Sequence, residues 1–249
     1  MPSKAKRMGF AGTDSYDLIM YLAVLLIASD KKVLLVDNSL QKALSCCVPP
    51  VDMTSVKERK ACYRGLDIQK ETYMEVMGEE YDYVLADFGQ EMNQKALKTC
   101  DTVFLVTDTR LHNMTGIEYF RGAWDNTCLL IRDITEGMEE KYIHKLLQEK
   151  GIQERRSYYF YFDETDREMA AMLQYYNSFS YKKLSPAIRY FLKDALRGFF
   201  GMDEAQLNLA EKKLKRRKWD ACGFLGTCGR SDGDNLLSDG SRPYGSLPV

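Results

Sequence analysis

The chain of 249 residues lacks the features by which several protein classes are recognised. Its longest apolar run, over 18–28, has eleven residues, well short of the roughly 20 that a bilayer-spanning helix needs. That run predicts a buried core helix. The start, Met-Pro-Ser-Lys-Ala-Lys-Arg, is basic like the first part of a secretion signal, but Gly12, Asp14 and Asp17 interrupt the apolar segment that would have to follow. An excess of one charge is missing too. With a formal net charge of −1, no global field draws the protein to nucleic acid or to an anionic membrane, and any such contact has to be a local patch. Histidine is scarce, only His112 and His144, and no Cys-x-x-Cys occurs, so zinc has little support. The seven cysteines (Cys46, Cys47, Cys62, Cys100, Cys128, Cys222, Cys228) are scattered and odd in number, as expected of free thiols in a reducing cytoplasm. A cytoplasmic protein is expected, with peripheral attachment at the inner face of the membrane as a variant.

What is present is the composition of one sizeable domain: 45% hydrophobic and 29% charged residues. Short apolar segments at 8–11, 33–36, 83–86, 103–106, 129–131 and 158–162 alternate with helical stretches at 17–29, 72–79, 93–99, 115–124, 138–150 and 166–176. This order predicts an α/β fold, a doubly wound and mostly parallel sheet with helices on both faces. Several of the strands are continuous apolar runs, as suits burial on both sides. Residues 37–71, with Pro49-Pro50, read as an irregular excursion instead of another βα unit. Toward the end, 185–200 and 203–219 predict two helices, the first with Ser185 as N-cap and Pro186 at its first position. A single domain is expected over 1–219, and the Gly-, Ser-, Asp- and Pro-rich residues 220–249 are expected to be a disordered tail.

Residues 9–17, Gly-Phe-Ala-Gly-Thr-Asp-Ser-Tyr-Asp, lie between the first strand and first helix, where a phosphate-binding loop would be. Such a loop presents backbone amides at a helix N-terminus, glycines that let the backbone approach phosphate, a lysine for the phosphate charge and a hydroxyl for magnesium. Together with the 33–37 strand ending in Asp37, the segment 81–89 (Tyr-Asp-Tyr-Val-Leu-Ala-Asp-Phe-Gly) and the segment 103–108 (Val-Phe-Leu-Val-Thr-Asp), it resembles the ParA/MinD family of deviant P-loop ATPases over roughly residues 8–200. The resemblance implies a P-loop NTPase-like three-layer sandwich.

The family's loop reads Lys-Gly-Gly-x-Gly-Lys-Thr, and here only Gly12 survives. Ala11 stands for the first lysine, Thr13 and Ser15 for glycines, Tyr16 for the main lysine and Asp17 for the magnesium-binding threonine. Asp14 and Asp17 bring negative charge to the phosphate position, although acids at a helix start are also favoured by capping and by the helix dipole. Asp37 matches a family aspartate, but Ser39 replaces the acid that would orient water. Asp87 matches the aspartate that would hold magnesium through water. The base-reading asparagine is absent from Leu130-Ile131-Arg132-Asp133.

Three readings follow, two from that resemblance and one from a basic stretch at 212–218. The first is a catalytically degenerate scaffold or positioning factor, resembling the TadZ/CpaE type, for a pilus-assembly, secretion or partition system. It needs no cofactor and no small-molecule substrate; its partners are proteins, in a homodimer or in a heterodimer with an active ATPase paralogue. Its vestigial nucleotide-binding residues would be Gly12, Thr13, Asp14, Ser15, Tyr16, Asp17, Asp37 and Asp87. The second is an ATPase with a rearranged site, using ATP and a magnesium ion held by Asp87, Asp37 and Asp17. The third is a membrane- or DNA-associated adaptor contacting phosphate or lipid through Lys212, Lys213, Lys215, Arg216, Arg217 and Lys218. A solvated helix end suited to the C-terminal dipole is the simpler account of those cations. His112, just past a strand end, has no sequence-local acid or nucleophile, and a structural or surface role is expected for it.

Overall fold

A computed structural model describes residues 5–48, 60–63 (backbone only), 65–69, 80–90, 94–117, 126–149, 151 and 156–216. Strands β1 (Lys6–Gly12), β2 (Val33–Asp37), β3 (Lys60–Tyr63), β4 (Leu66–Gln69), β5 (Tyr83–Asp87), β6 (Thr102–Asp108), β7 (Thr127–Ile134) and β8 (Arg156–Tyr161) form one sheet, in the order β3-β4-β2-β5-β1-β6-β7-β8. Every pairing from β4 to β8 is parallel; β3 alone joins antiparallel, to β4. Helices α1 (Tyr16–Ala28), α5 (Glu164–Tyr176), α6 (Pro186–Gly198) and α7 (Glu204–Arg216) cover one face, and α2 (Gln94–Leu97), α3 (Leu111–Gly116) and α4 (Glu140–Glu149) the other.

The two-residue period of a strand assigns its side chains to these faces. Met8, Phe10, Leu35, Leu85, Phe104, Val106, Cys128 and Leu130 join the core under α1, while Ala11, Leu34, Val36, Val84, Ala86, Leu105, Leu129 and Ile131 pack on the other side. Strands buried on both faces carry no alternation of polarity, which is why they read as plain apolar runs. Helix α1 packs between the sheet and α6 and α7, and only Tyr16 and Ile27 of its residues escape full burial. Its unbroken hydrophobicity therefore reflects enclosure on all sides.

The helix ends follow local chemistry. Ser185 caps α6 by accepting from the Ile188 amide, with Pro186 at the first position, and Asp163 caps α5 by accepting from Thr165 and Asp166. Two expectations need correction. The segment 37–71 contributes β3 and β4 to the sheet edge; these four-residue strands, with polar Asp67 and Gln69 in β4, present no apolar run to detect. The helix expected at 115–124 begins at Leu111, just after Arg110, and residues 118–125 lie outside the described ones. The helix expected at 72–79, Pro49-Pro50 and the tail at 220–249 also fall outside them.

Candidate functional site

All strands except β3 run the same way, so Gly12, Asp37, Asp87, Asp108 and Arg132 gather at one edge of the sheet. Ligands of open α/β sheets bind at this carboxyl edge. The loop after β1 is strapped across it. Gly12 donates to Gly89 O at 2.7 Å and Thr13 donates to Val106 O at 2.8 Å. Gly12 holds φ +114°, and a Cβ there would sit 1.9 Å from Val106 O, so no other residue fits this crossing.

Beyond Gly12 the loop enters α1 through Ser15, whose side chain makes no cap bond to the helix. Asp17, fully buried in the first turn, instead meets Arg132 from the end of β7. Arg132 Nη1 donates to Asp17 Oδ1 at 2.7 Å and Nη2 donates to Oδ2 at 2.6 Å, a two-pronged pair. Nη1 also donates to the carbonyl of Asp14 at 2.9 Å. Burial alone would lower the Arg132 pKa, but Asp17 more than reverses this and raises it. Strand alternation carries Arg132 to the α1 side after Cys128 and Leu130, and a register shift against β8 follows at once, with Asp133 at φ 55°. Asp133 is thereby turned to pair with Arg167 of α5, whose Nε lies 3.1 Å away.

Asp37 and Asp87 are register partners on β2 and β5. Asp37 is well supplied: it accepts from Ser39 Oγ at 2.7 Å, from Ser39 N at 3.3 Å and from Ser45 N at 2.7 Å. Ser39, in the place of a water-orienting acid, therefore serves the turn after β2. Asp87 has less. Its Oδ1 accepts from Gly89 N at 2.9 Å and only distantly from Ser15 Oγ, at 3.5 Å. Burial pushes its carboxyl up to about 7; Asp37 and Asp14 add to the rise, while the Gly89 and Ser15 donors oppose it.

The space left is small and acidic. A depression of about 30 Å³, room for about two waters, is lined by Thr13, Asp14, Ser15, Ser39, Asp87 and Gln90 among others, and by no lysine or arginine among the described residues. Beside it, a polar cavity of about 120 Å³ is lined by Asp14, Asp108, Arg110, Arg132, Asp133 and Arg167. Arg132 and Arg167 are committed to Asp17 and Asp133, and Arg110 Nε lies 3.7 Å from Asp108 with a largely exposed side chain. A third cavity, of about 240 Å³, includes exposed His112 with Thr107, Asn113 and Ile117. Asp17, at the position expected to bind magnesium, is consumed by Arg132, and Tyr16 supplies a half-buried phenol whose pKa is raised by burial, then by Asp17.

Thus the structure brings together Gly12, Thr13, Asp14, Ser15, Tyr16, Asp17, Asp37 and Asp87, and adds Arg132 as the partner that sequence reasoning missed. The signal was available in principle: Arg132 continues the Cys128/Leu130 alternation toward α1. The basic residues of α7 lie elsewhere. Lys213 pairs with Asp30 at 3.3 Å and Lys215 with Glu211 at 3.0 Å, while Lys212 is exposed. The side chain of Arg216, and Arg217 and Lys218 entirely, are outside the described residues.

No protein-family profile matches the chain, and no curated protein matches it in sequence. Solved structures do match its fold. A chain of the MinC:MinD cell division protein complex from Aquifex aeolicus is 14% identical, covering 80% of this chain and 97% of its own, with a TM-score of 0.55. A putative plasmid partition protein from Borrelia burgdorferi B31, bound to AMPPNP, is 14% identical, covering 84% and 100%, also at 0.55. The ATP complex of a point variant of Cyanothece McdA is 13% identical, covering 81% and 98%, again at 0.55. The α/β P-loop NTPase-like architecture is shared with these proteins.

Proposed function

We propose that this chain is a non-hydrolysing member of the ParA/MinD group that acts as a scaffold or positioning factor, of the TadZ/CpaE kind, for a pilus-assembly, secretion or partition system. One observation carries the reading: the buried Asp17–Arg132 pair stands at the start of α1, where a nucleotide-hydrolysing loop would need a free cation and a magnesium ligand. The exposed acid Asp14 lines what space remains, so Coulomb repulsion opposes a triphosphate there. No cofactor is required.

A protein partner fits the same edge. Leu40, Leu111 and Phe162 follow β2, β6 and β8 and are exposed at 76%, 76% and 54%. Large apolar side chains on the edge that also carries exposed Asp14 favour a protein surface over water. The partner is a second copy or an active ATPase paralogue, and the setting is cytoplasmic. No described helix is long and apolar enough to cross a membrane.

The test is calorimetric titration of the purified protein with ATP and magnesium, and sedimentation of the same sample with and without them. No heat of binding and nucleotide-independent self-association are expected. Tight, magnesium-dependent binding abolished by Asp87→Ala would overturn the proposal in favour of an ATPase with a rearranged site.

A further inference from the structure

The start of α1 has the parts of an anion-binding site. The helix is long enough to carry a substantial dipole, and its first amides point toward the loop without a side-chain cap from Ser15. A guanidinium, Arg132, is almost completely buried against this end and aims both terminal nitrogens at it. A second donor is present and unused. Tyr21, one turn beyond Asp17, has a fully buried hydroxyl with no hydrogen-bond partner among the described residues. Helical side chains lean toward the N-terminus, and the charges acting most on this hydroxyl are those of Asp17 and Arg132. Finally, the 120 Å³ polar cavity reaches Arg132 and Asp14 from solvent, so an outside anion has a route in.

We infer that this is a self-ligated oxyanion site, in which the Asp17 carboxylate is the built-in ligand and keeps an external phosphate-like anion out. The inference rests on the non-hydrolysing reading and gives that site its regulation: the 12–17 loop holds its arrangement without waiting for a ligand. An ordinary structural ion pair would make the same contacts but would leave no site behind when the carboxylate is removed. The two accounts differ in how a variant lacking that carboxylate responds to an added anion.

The experiment compares the natural full chain, Asp17→Ala and the double variant Asp17→Ala/Arg132→Met, by thermal unfolding in inorganic phosphate and in sodium chloride of equal ionic strength. For Asp17→Ala, phosphate is expected to raise Tm saturably, by about 3–6 °C at ten times its dissociation constant. The natural chain and the double variant are expected to show no phosphate-specific rise. If Asp17→Ala unfolds without anion, its refolding yield is the readout: recovery in phosphate but not in chloride supports the inference. Equal responses of all three proteins, or no recovery in either salt, overturn it. That outcome would leave the absence of ATP binding by the natural chain untouched, whereas ATP binding by the natural chain would overturn the proposed function whatever Asp17→Ala does.

Discussion

Asp17 and Asp87 are both buried at the same edge of the sheet, and their surroundings treat them in opposite ways. Asp17 has a full guanidinium fork, with both oxygens bonded to Arg132. Asp87 faces other acids, Asp37 and Asp14, and among the described residues has one good donor, the amide of Gly89. The cost of burying a carboxylate is offset in the first case by a partner charge and in the second by holding the proton. The acid that fits the resemblance to a magnesium-holding aspartate is thus the poorly supplied one, and the acid that departs from that pattern is the satisfied one. A matching residue type therefore says little about a working metal site until its donors are counted.

The largest expected effect comes from removing the support of Asp17. Arg132→Met leaves a buried, uncompensated carboxylate and should cost about 3–5 kcal/mol, measured by urea unfolding. The double variant Asp17→Asn/Arg132→Met should recover most of that loss, since a buried pair can be replaced by uncharged groups far more cheaply than it can be broken. A loss below about 1 kcal/mol in Arg132→Met would mean that water reaches Asp17, and the contrast with Asp87 would collapse.

The opposite sign is expected at Asp87. Its folded pKa, about 7, lies above the ordinary value of 3.8, so the folded chain keeps a proton that the unfolded chain gives up as pH rises through that window. The stability attached to this proton is fully present below about pH 4 and is lost as pH climbs through 7. Asp87→Asn keeps an acceptor for Gly89 and removes the titration. It should match the natural chain at pH 4 and exceed it by about 4 kcal/mol at pH 8, as read from urea midpoints. Equal stability of the two at pH 8 would show that Asp87 is charged and well solvated.

The contrast also explains what was legible beforehand. Residues 18–28 and the strands around Val36, Leu85 and Leu105 were readable because burial on both faces leaves continuous apolar runs. The caps Ser185 and Pro186 were readable because capping is local. Strands β3 and β4 were not, since a short edge strand with Asp67 and Gln69 carries neither an apolar run nor a strict alternation. In the site, the missing lysine and the acids Asp14 and Asp17 could be read directly. The pairing of Asp17 with Arg132 spans 115 positions and depends on strand order and on the irregularity after Ile131, which no local pattern encodes.

A third buried acid, Glu211 on α7, tests whether donor supply is the deciding quantity throughout the molecule. It accepts from the hydroxyl of Tyr181 and pairs with Lys193 at 2.9 Å and Lys215 at 3.0 Å, tying α7 to α6 and to the short turn at Tyr181–Lys183. Burial pushes its pKa up, but the three donors outweigh burial and leave it below the ordinary 4.5. The sign is then the reverse of that at Asp87: the stability is present above the ordinary 4.5 and is lost as pH falls below it through the lower folded pKa. Glu211→Gln retains one acceptor and should cost about 1 kcal/mol at pH 7, with the difference shrinking once pH falls below 4.5. Urea titrations of Glu211→Gln and Asp87→Asn between pH 4 and 8 should therefore diverge from the natural chain in opposite directions as pH rises. Divergence in the same direction would mean that the total charge of the chain, and not the donors at each acid, sets these stabilities.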